Sequence, residues 1–122
     1  MSSFKIFDIA GSGMNAQNLR MNVVASNLAN VDAVSSSTGA TYRARQPVFQ
    51  AVLDQAHAAG PAVGVQMAGV VESQAPLVRE YSPHHAMADQ DGYIYRPNVN
   101  VVEEMANMIS ASRAYQNNVE VV

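Results

Sequence analysis

The sequence predicts an α+β fold: N- and C-terminal helices paired as an antiparallel two-helix coiled coil, with a small antiparallel β unit inserted between them. Three observations predict it. Each end carries a heptad of apolar positions, the middle alternates with period two between Gly and Pro turns, and a small-residue segment separates the two patterns. The expected organisation is a discontinuous helical domain (1–32 and 98–122), a linker (33–41) and a β insertion (42–97).

In the C-terminal stretch, Val101, Met105, Met108, Ser112, Tyr115, Val119 and Val122 follow one another by steps of four and three. Side chains at this spacing share one face of a helix. Val102 and Ile109 widen the stripe. Asn100 is placed to cap the helix, and Glu103 sits where a capping-box acid reaches back. Glu103 and Glu104 also lie where the helix dipole favours negative charge. Such a helix, ~33 Å long, needs a partner for its seam.

The partner is at the other end. Phe7, Ala10, Met14, Gln17, Met21, Val24, Leu28 and Val31 step by three and four, and only Gln17 is polar. One polar residue in such a seam can fix register. Ser2 or Ser3 can cap this helix, and Asn30, tolerant of left-handed geometry, can end it. Gly11 and Gly13 weaken it by about 1 kcal/mol each relative to alanine, yet admit another backbone closely.

Between the helices, Asp32 to Thr41 is a small-residue linker, flexible by composition. Tyr42 to Val52 alternates, with Pro47 marking an edge or a break. His57 to Pro61 is a turn, and Val63 to Glu72 alternates with a bulge expected at Gly69. Pro76 to Tyr81 and Gly92 to Arg96 are short strands around a loop. These are the parts of a small antiparallel unit.

Composition excludes several functions. Seven basic residues against ten acidic ones give a formal net charge of −3, unlike an electrostatic nucleic-acid binder. With no cysteine there is no disulfide, thiolate metal site or cysteine nucleophile. No apolar run approaches the length that crosses a bilayer. The N-terminus lacks the regions of a cleaved secretory signal, which predicts cytoplasmic residence or export by another route.

Candidate chemical motifs reduce to structural ones. Gly11-Ser12-Gly13-Met14-Asn15-Ala16 matches G-x-G-x-x-A, with Asp32 near the ribose-binding position. A dinucleotide site needs a strand, a tight turn and a βαβ unit, whereas here the heptad runs through the glycines. His84, His85, Asp89 and Asp91 cluster in sequence, but adjacent histidines in an extended segment point apart, and an Asp-Gly turn explains the same letters. His57 reads as a solvated loop residue, and no Ser-His-Asp arrangement is indicated. Five methionines (Met14, Met21, Met67, Met105, Met108) fall on seam or strand positions and read as packing residues. No catalytic, cofactor-binding or metal-ligating residue is assigned, and no cofactor is expected.

The helices are unusual in their low charge. Phe4 to Val31 contains only Lys5, Asp8 and Arg20, and its polar surface is Asn, Gln and Ser. The second helix repeats this with Asn107, Ser110, Ser112, Gln116, Asn117 and Asn118. Solvated helices usually carry charges on the outer face, so neutral flanks predict packing against other proteins. The flanking Asn15, Asn18, Asn22, Asn107, Gln116 and Asn117 are expected to hydrogen-bond between subunits.

Three stretches together carry a family resemblance: Asn22 to Asp32 (NVVASNLANVD), Ala88 to Pro97 (ADQDGYIYRP) and Asn98 to Val121 (NVNVVEEMANMISASRAYQNNVEV). They resemble the bacterial flagellar rod, hook and filament-junction family. Asn27, Leu28, Ala29, Asn30 and Val31 match its N-terminal signature; Glu104, Met105, Arg113, Ala114, Tyr115 and Gln116 match its C-terminal one. The short insertion, with YRARQPVFQ and VVESQAPLVREY, favours a proximal-rod member over hook proteins.

The resemblance implies a structural subunit, not an enzyme, of the proximal rod, a helical tube that crosses the periplasm and transmits torque. It implies export without a cleaved signal through the flagellar type III apparatus. The implied partners are other rod proteins (FlgB, FlgF, FlgG), the rod-base adaptor FliE and neighbouring copies, with no nucleic acid and no membrane insertion. Phe7, Met14, Gln17, Met21, Val24, Leu28, Val31, Val101, Met105, Met108, Ile109, Tyr115 and Val119 are the expected seam and assembly interface. In the family the C-terminal helix continues past the position of Val122, so the inner end of the coiled coil is expected to be less buried here. Both termini are expected to be loose in the monomer and to fold on assembly. A competing reading is a soluble non-enzymatic adaptor that captures an amphipathic helix in trans.

Overall fold

The computed structural model describes residues 3–54 and 62–121. In order the elements are α1 (Ser3–Ala29), β1 (Arg45–Asp54), β2 (Ala62–Glu72), β3 (Val78–Tyr81), β4 (Tyr93–Arg96) and α2 (Val101–Val121). Each predicted helix and strand is present, within a few residues of its expected ends. Ser2, the turn with His57 and the seam position Val122 lie outside the described residues.

The ends of the helices follow from side-chain chemistry. Asn100 Oδ1 accepts from the Glu103 amide at 3.1 Å, satisfying one of the orphan N–H groups of α2. Asn30 closes α1, but not through left-handed backbone: among the described residues only Gly92 has positive φ. Instead its side-chain amide donates to the Ser26 carbonyl at 2.8 Å, beside the bond that its own backbone amide makes to the same oxygen at 3.1 Å.

The two helices are antiparallel and their register is fixed. Asn27 Nδ2 meets Glu104 Oε2 at 3.1 Å, and Gly13 faces the side chain of Asn118. Those contacts are fourteen residues apart on both helices, two heptads, so a single register holds along the pair. A Cβ on Gly13 would lie 2.7 Å from Asn118 Nδ2, so the glycine is what admits the close approach.

The β insertion is two separate two-stranded antiparallel sheets, β1-β2 and β3-β4. In the first, Val48 pairs with Gly69 and Phe49 with Met67, which leaves Ala68 as the extra residue of a bulge, one position before the expected one. The chain leaves this sheet under restraint. The Ser73 amide donates to the Ala44 carbonyl at 2.7 Å, and the side chains of Arg43 and Asn98 then take the carbonyls of Ser73 and Ala75. These bonds divert the strand direction, and β3 pairs only with β4. The small-residue segment expected to be a flexible linker is also tied down. Ser35 and Tyr95 exchange backbone hydrogen bonds at 3.1 and 2.9 Å, adding a bridge to β4.

The buried apolar residues are small apart from Ile94 and Val24: Ala10, Ala16, Ala44 and Ala111. On α2 the inward face is Glu104 and Ala111, buried, with Asn107, Met108, Ala114, Tyr115 and Asn118 half-buried. That is not the stripe the heptad suggested. Of that stripe, Met108, Ser112 and Tyr115 are half-buried, while Val101, Met105 and Val119 are exposed. The physical reason is that Ala111 and the Gly13–Asn118 approach pack closest, and the Asn27–Glu104 bond fixes the rotation of the helix. Gln17, expected to set register, accepts instead from Arg20 of its own helix at 3.3 Å.

Candidate assembly site

The centre of the molecule is Asn27, 1% exposed. Its Nδ2 donates to the Arg45 carbonyl at 2.8 Å and to Glu104 Oε2 at 3.1 Å. Its Oδ1 accepts from the Arg45 amide at 2.9 Å and from the Tyr42 hydroxyl at 2.7 Å. An asparagine side chain has two donor hydrogens and two acceptor lone pairs, so Asn27 is fully used. Since the Tyr42 proton goes to Asn27, the hydroxyl of Ser26, 3.0 Å away, donates to Tyr42. One amide thus locks α1, the start of β1 and the first turn of α2. Glu104 is buried, and the Asn27 donor is what meets its carboxylate there.

Asn98 makes a second lock just before α2. Its Oδ1 accepts from the Ala44 amide at 2.7 Å, and its Nδ2 donates to the carbonyls of Ala75 at 2.9 Å and Ser73 at 3.3 Å. Sequence reasoning missed Asn98 and the role of Tyr42. The only signal for Asn98 was an amide side chain directly after Pro97 at the approach to a helix. Nothing in the pattern pointed to the Tyr42 hydroxyl.

The hairpin β1-β2 lies along α1. The Val65 amide donates to Ser12 Oγ at 3.1 Å, and Ser12 donates to the Ile9 carbonyl at 2.8 Å. Ser12 passes close to Gly64, where a Cβ would lie 3.0 Å from Ser12 Oγ. The second hairpin is held by surface contacts: Arg96 Nε donates to Glu80 Oε2 at 2.6 Å, and Arg79 lies 3.7 Å over the ring of Tyr93. The bond and charge of Glu80 raise the pKa of Arg96.

The expected interface residues fall into two groups. On α1, Val24 is buried, Met14, Gln17, Met21, Leu28 and the nearby Val31 are half-buried, and Phe7 is exposed. On α2, Met108 and Tyr115 are half-buried, whereas Val102 (77%), Ile109 (58%) and Met105 (54%) stand in solvent with Val101 and Val119. Among the family-motif residues, Asn27 and Glu104 are buried partners, Asn30 and Ala114 are half-buried, and Ala29, Arg113 and Gln116 are exposed. Of the neutral flanks, Asn15, Asn18, Asn22, Gln116 and Asn117 are exposed and Asn107 is half-buried.

Gly11 to Ala16 lies within α1, so its backbone N–H groups are committed to the helix. Asp89 Oδ1 accepts from the amides of Asp91 at 2.9 Å and Tyr93 at 2.8 Å, and His85 Nδ1 accepts from the Met87 amide at 3.0 Å. Among the described residues no group of three or more metal-ligating side chains is brought together. No described helix is long and apolar enough to cross a membrane.

Two family models match the ends of the chain, the segments that supply Asn27 and Glu104. Residues 7–35 match "Flagella basal body rod protein", and residues 90–122 match "Flagellar basal body rod FlgEFG protein C-terminal". Both describe flagellar rod components. The chain is 52% identical over 122 residues to "Flagellar basal-body rod protein FlgC" of Salmonella typhimurium, covering 100% of this chain and 89% of that one. The protein of the same description from Escherichia coli O6:H1 shows the same identity and coverage. That of Borreliella burgdorferi is 35% identical over 136 residues, covering 100% of this chain and 90% of its own. The chain belongs to the FlgC family of flagellar basal-body rod proteins.

Proposed function

We propose that this chain is a structural, non-catalytic subunit of the proximal part of the flagellar rod, assembling into a helical tube that carries torque across the periplasm. The observation that carries this is the face that α2 leaves open: Glu104, Asn107, Ala111 and Asn118 turn inward with Met108 and Tyr115, while Val101, Val102, Met105 and Ile109 stay in solvent. An exposed apolar helix face of this kind marks a protein interface. The same architecture supports stiffness under load. Asn27 and Asn98 cross-tie segments far apart in sequence, so a force on either helix reaches the other and the hairpin directly.

The partners on this reading are neighbouring copies, the rod proteins FlgB, FlgF and FlgG and the adaptor FliE, reached after export through the type III apparatus without a cleaved signal. Neutral, exposed Asn15, Asn18, Asn22, Gln116 and Asn117 then hydrogen-bond between subunits, about 1 kcal/mol each once shielded from water.

Complementation of a deletion strain tests the reading. Met105→Asp puts a charge on the exposed stripe; the variant is expected to fold, to be exported, and to be absent from purified basal bodies with motility lost. Normal motility with Met105→Asp sinks the assignment of this face to assembly.

A further inference from the structure

On the side of α1 turned away from α2, a groove runs between α1 and β2. Its apolar lining is Leu19, Val23, Met67 and Val70, its volume is about 470 Å³, and its charged lining residues are Arg45 and Glu72. We propose that this groove seats the exposed α2 stripe of a second copy of this chain, joining copies head to tail. The inference rests on the rod reading above and names the surfaces that meet.

Three observations select this occupant. The first is charge. The groove's apolar lining and Val101, Val102, Met105 and Ile109 carry no charge, and the groove's two charged residues, Arg45 and Glu72, are of opposite sign and stand opposite each other across β1 and β2. The apolar parts of the two surfaces can therefore desolvate each other, and the groove's own charges balance one another. The second is spacing. Val70 and Glu72 are two apart on a strand, side chains on one face, about 6.6 Å along it. Ile109 and Arg113 are four apart on a helix, also on one face, about 6 Å along it. With Ile109 over Val70, Arg113 reaches Glu72, and opposite charges meet beyond an apolar contact. Neither Glu72 nor Arg113 has an ion-pair partner among the described residues.

The third is geometry. The Asn27–Glu104 bond and the Gly13–Asn118 approach fix α2 on its own side of α1, so a subunit cannot fill its own groove. The contact uses different patches on the two copies. Such a heterologous contact repeats into an open helical string, the symmetry a rod needs, where a self-complementary patch would stop at a dimer.

The chain has no cysteine, so introduced pairs report contacts directly. The Val70→Cys/Ile109→Cys chain is made the sole copy in a deletion strain, and basal bodies are isolated and oxidised. A ladder stepping by the mass of this chain is expected, with either single variant giving monomer. Glu72→Arg and Arg113→Glu added singly are expected to cut the ladder at least tenfold, and added together to restore it. Dimers from a single-cysteine variant would show a self-complementary contact and overturn the proposal. Bands of other step size put a different protein in the groove and overturn the choice of occupant. Basal bodies that contain the chain yet give no ladder overturn the contact and leave the rod reading standing. Absence of the unsubstituted chain from basal bodies overturns both.

Discussion

Replacing Asn27 by alanine tests the central lock. The side chain makes four hydrogen bonds, at 2.7, 2.8, 2.9 and 3.1 Å, in a position 1% exposed. Three have neutral partners, about 1 kcal/mol each, and the bond to the Glu104 carboxylate is worth about 1.5–3 kcal/mol. Alanine orphans all four partners. Tyr42 can turn towards Ser26, and the space left admits water, so the net loss is about 3–5 kcal/mol. A domain of this size is stable by about 5–15 kcal/mol, so the variant loses a large share of it. In urea, with a slope near 2 kcal/mol per M, the midpoint falls by about 2 M. Asn30→Ala is the control: its side chain bonds only the Ser26 carbonyl of its own helix, and the expected loss is about 0.5–1 kcal/mol. Circular dichroism during urea titration reads both. If Asn27→Ala shifts the midpoint no further than Asn30→Ala, the lock is not what joins the three segments.

Gly11→Ala is expected to stabilise by about 0.5–1 kcal/mol, since helix propensity improves and the new Cβ meets open space. Gly13→Ala gains the same propensity but drives a Cβ to 2.7 Å from Asn118, so its thermal midpoint should lie below that of Gly11→Ala. Gly92→Ala is expected to cost about 1–3 kcal/mol, because φ is +84° and the Cβ would lie 2.9 Å from the Tyr81 ring; unchanged thermal melting would refute the strain. Asn27→Asp sets a second carboxylate about 3 Å from that of Glu104. Like charges so close share one proton, raising the folded pKa of the pair above its unfolded value. Protonation then favours the folded form, so stability should rise as pH falls from about 7 to about 5 and be lost as pH rises through the folded pKa; melting that worsens on acidification contradicts this.

The periodic features were legible in the sequence. Both helices, all four strands and the cap at Asn100 follow from spacing and from local hydrogen bonding, which act within a few residues. Part of the α1 stripe was legible too: Ala10 and Val24 are buried and Met14 and Leu28 half-buried, with Phe7 exposed. The rotation of α2 was not. A heptad identifies the most apolar face, but not whether that face meets the chain's own partner or another copy's. Here a long-range polar bond, Asn27 to Glu104 across 77 positions, decides the question, and no local pattern encodes it. The split of the β unit was hidden for the same reason, since Asn98 acts on Ser73 and Ala75 from across the fold.

The placement of small residues inside and large ones outside has a consequence for surface area. A compact monomer of 13.0 kDa exposes ~6,300 Å². This chain exposes 7715 Å². Exposed apolar side chains contribute patches to that excess, and ~800 Å² is the usual contribution of one partner to a stable interface. The groove beside α1 and the stripe on α2 are two such patches on one chain, of different shape. A subunit with this surface has half of two interfaces and the whole of neither. On the head-to-tail proposal, its burial is completed by neighbouring copies. Large apolar side chains such as Ile109 therefore contribute little to the isolated fold, and substituting them should change assembly far more than monomer stability. Within the chain itself, Asn27 and Asn98 supply the order that a conventional apolar core would otherwise provide.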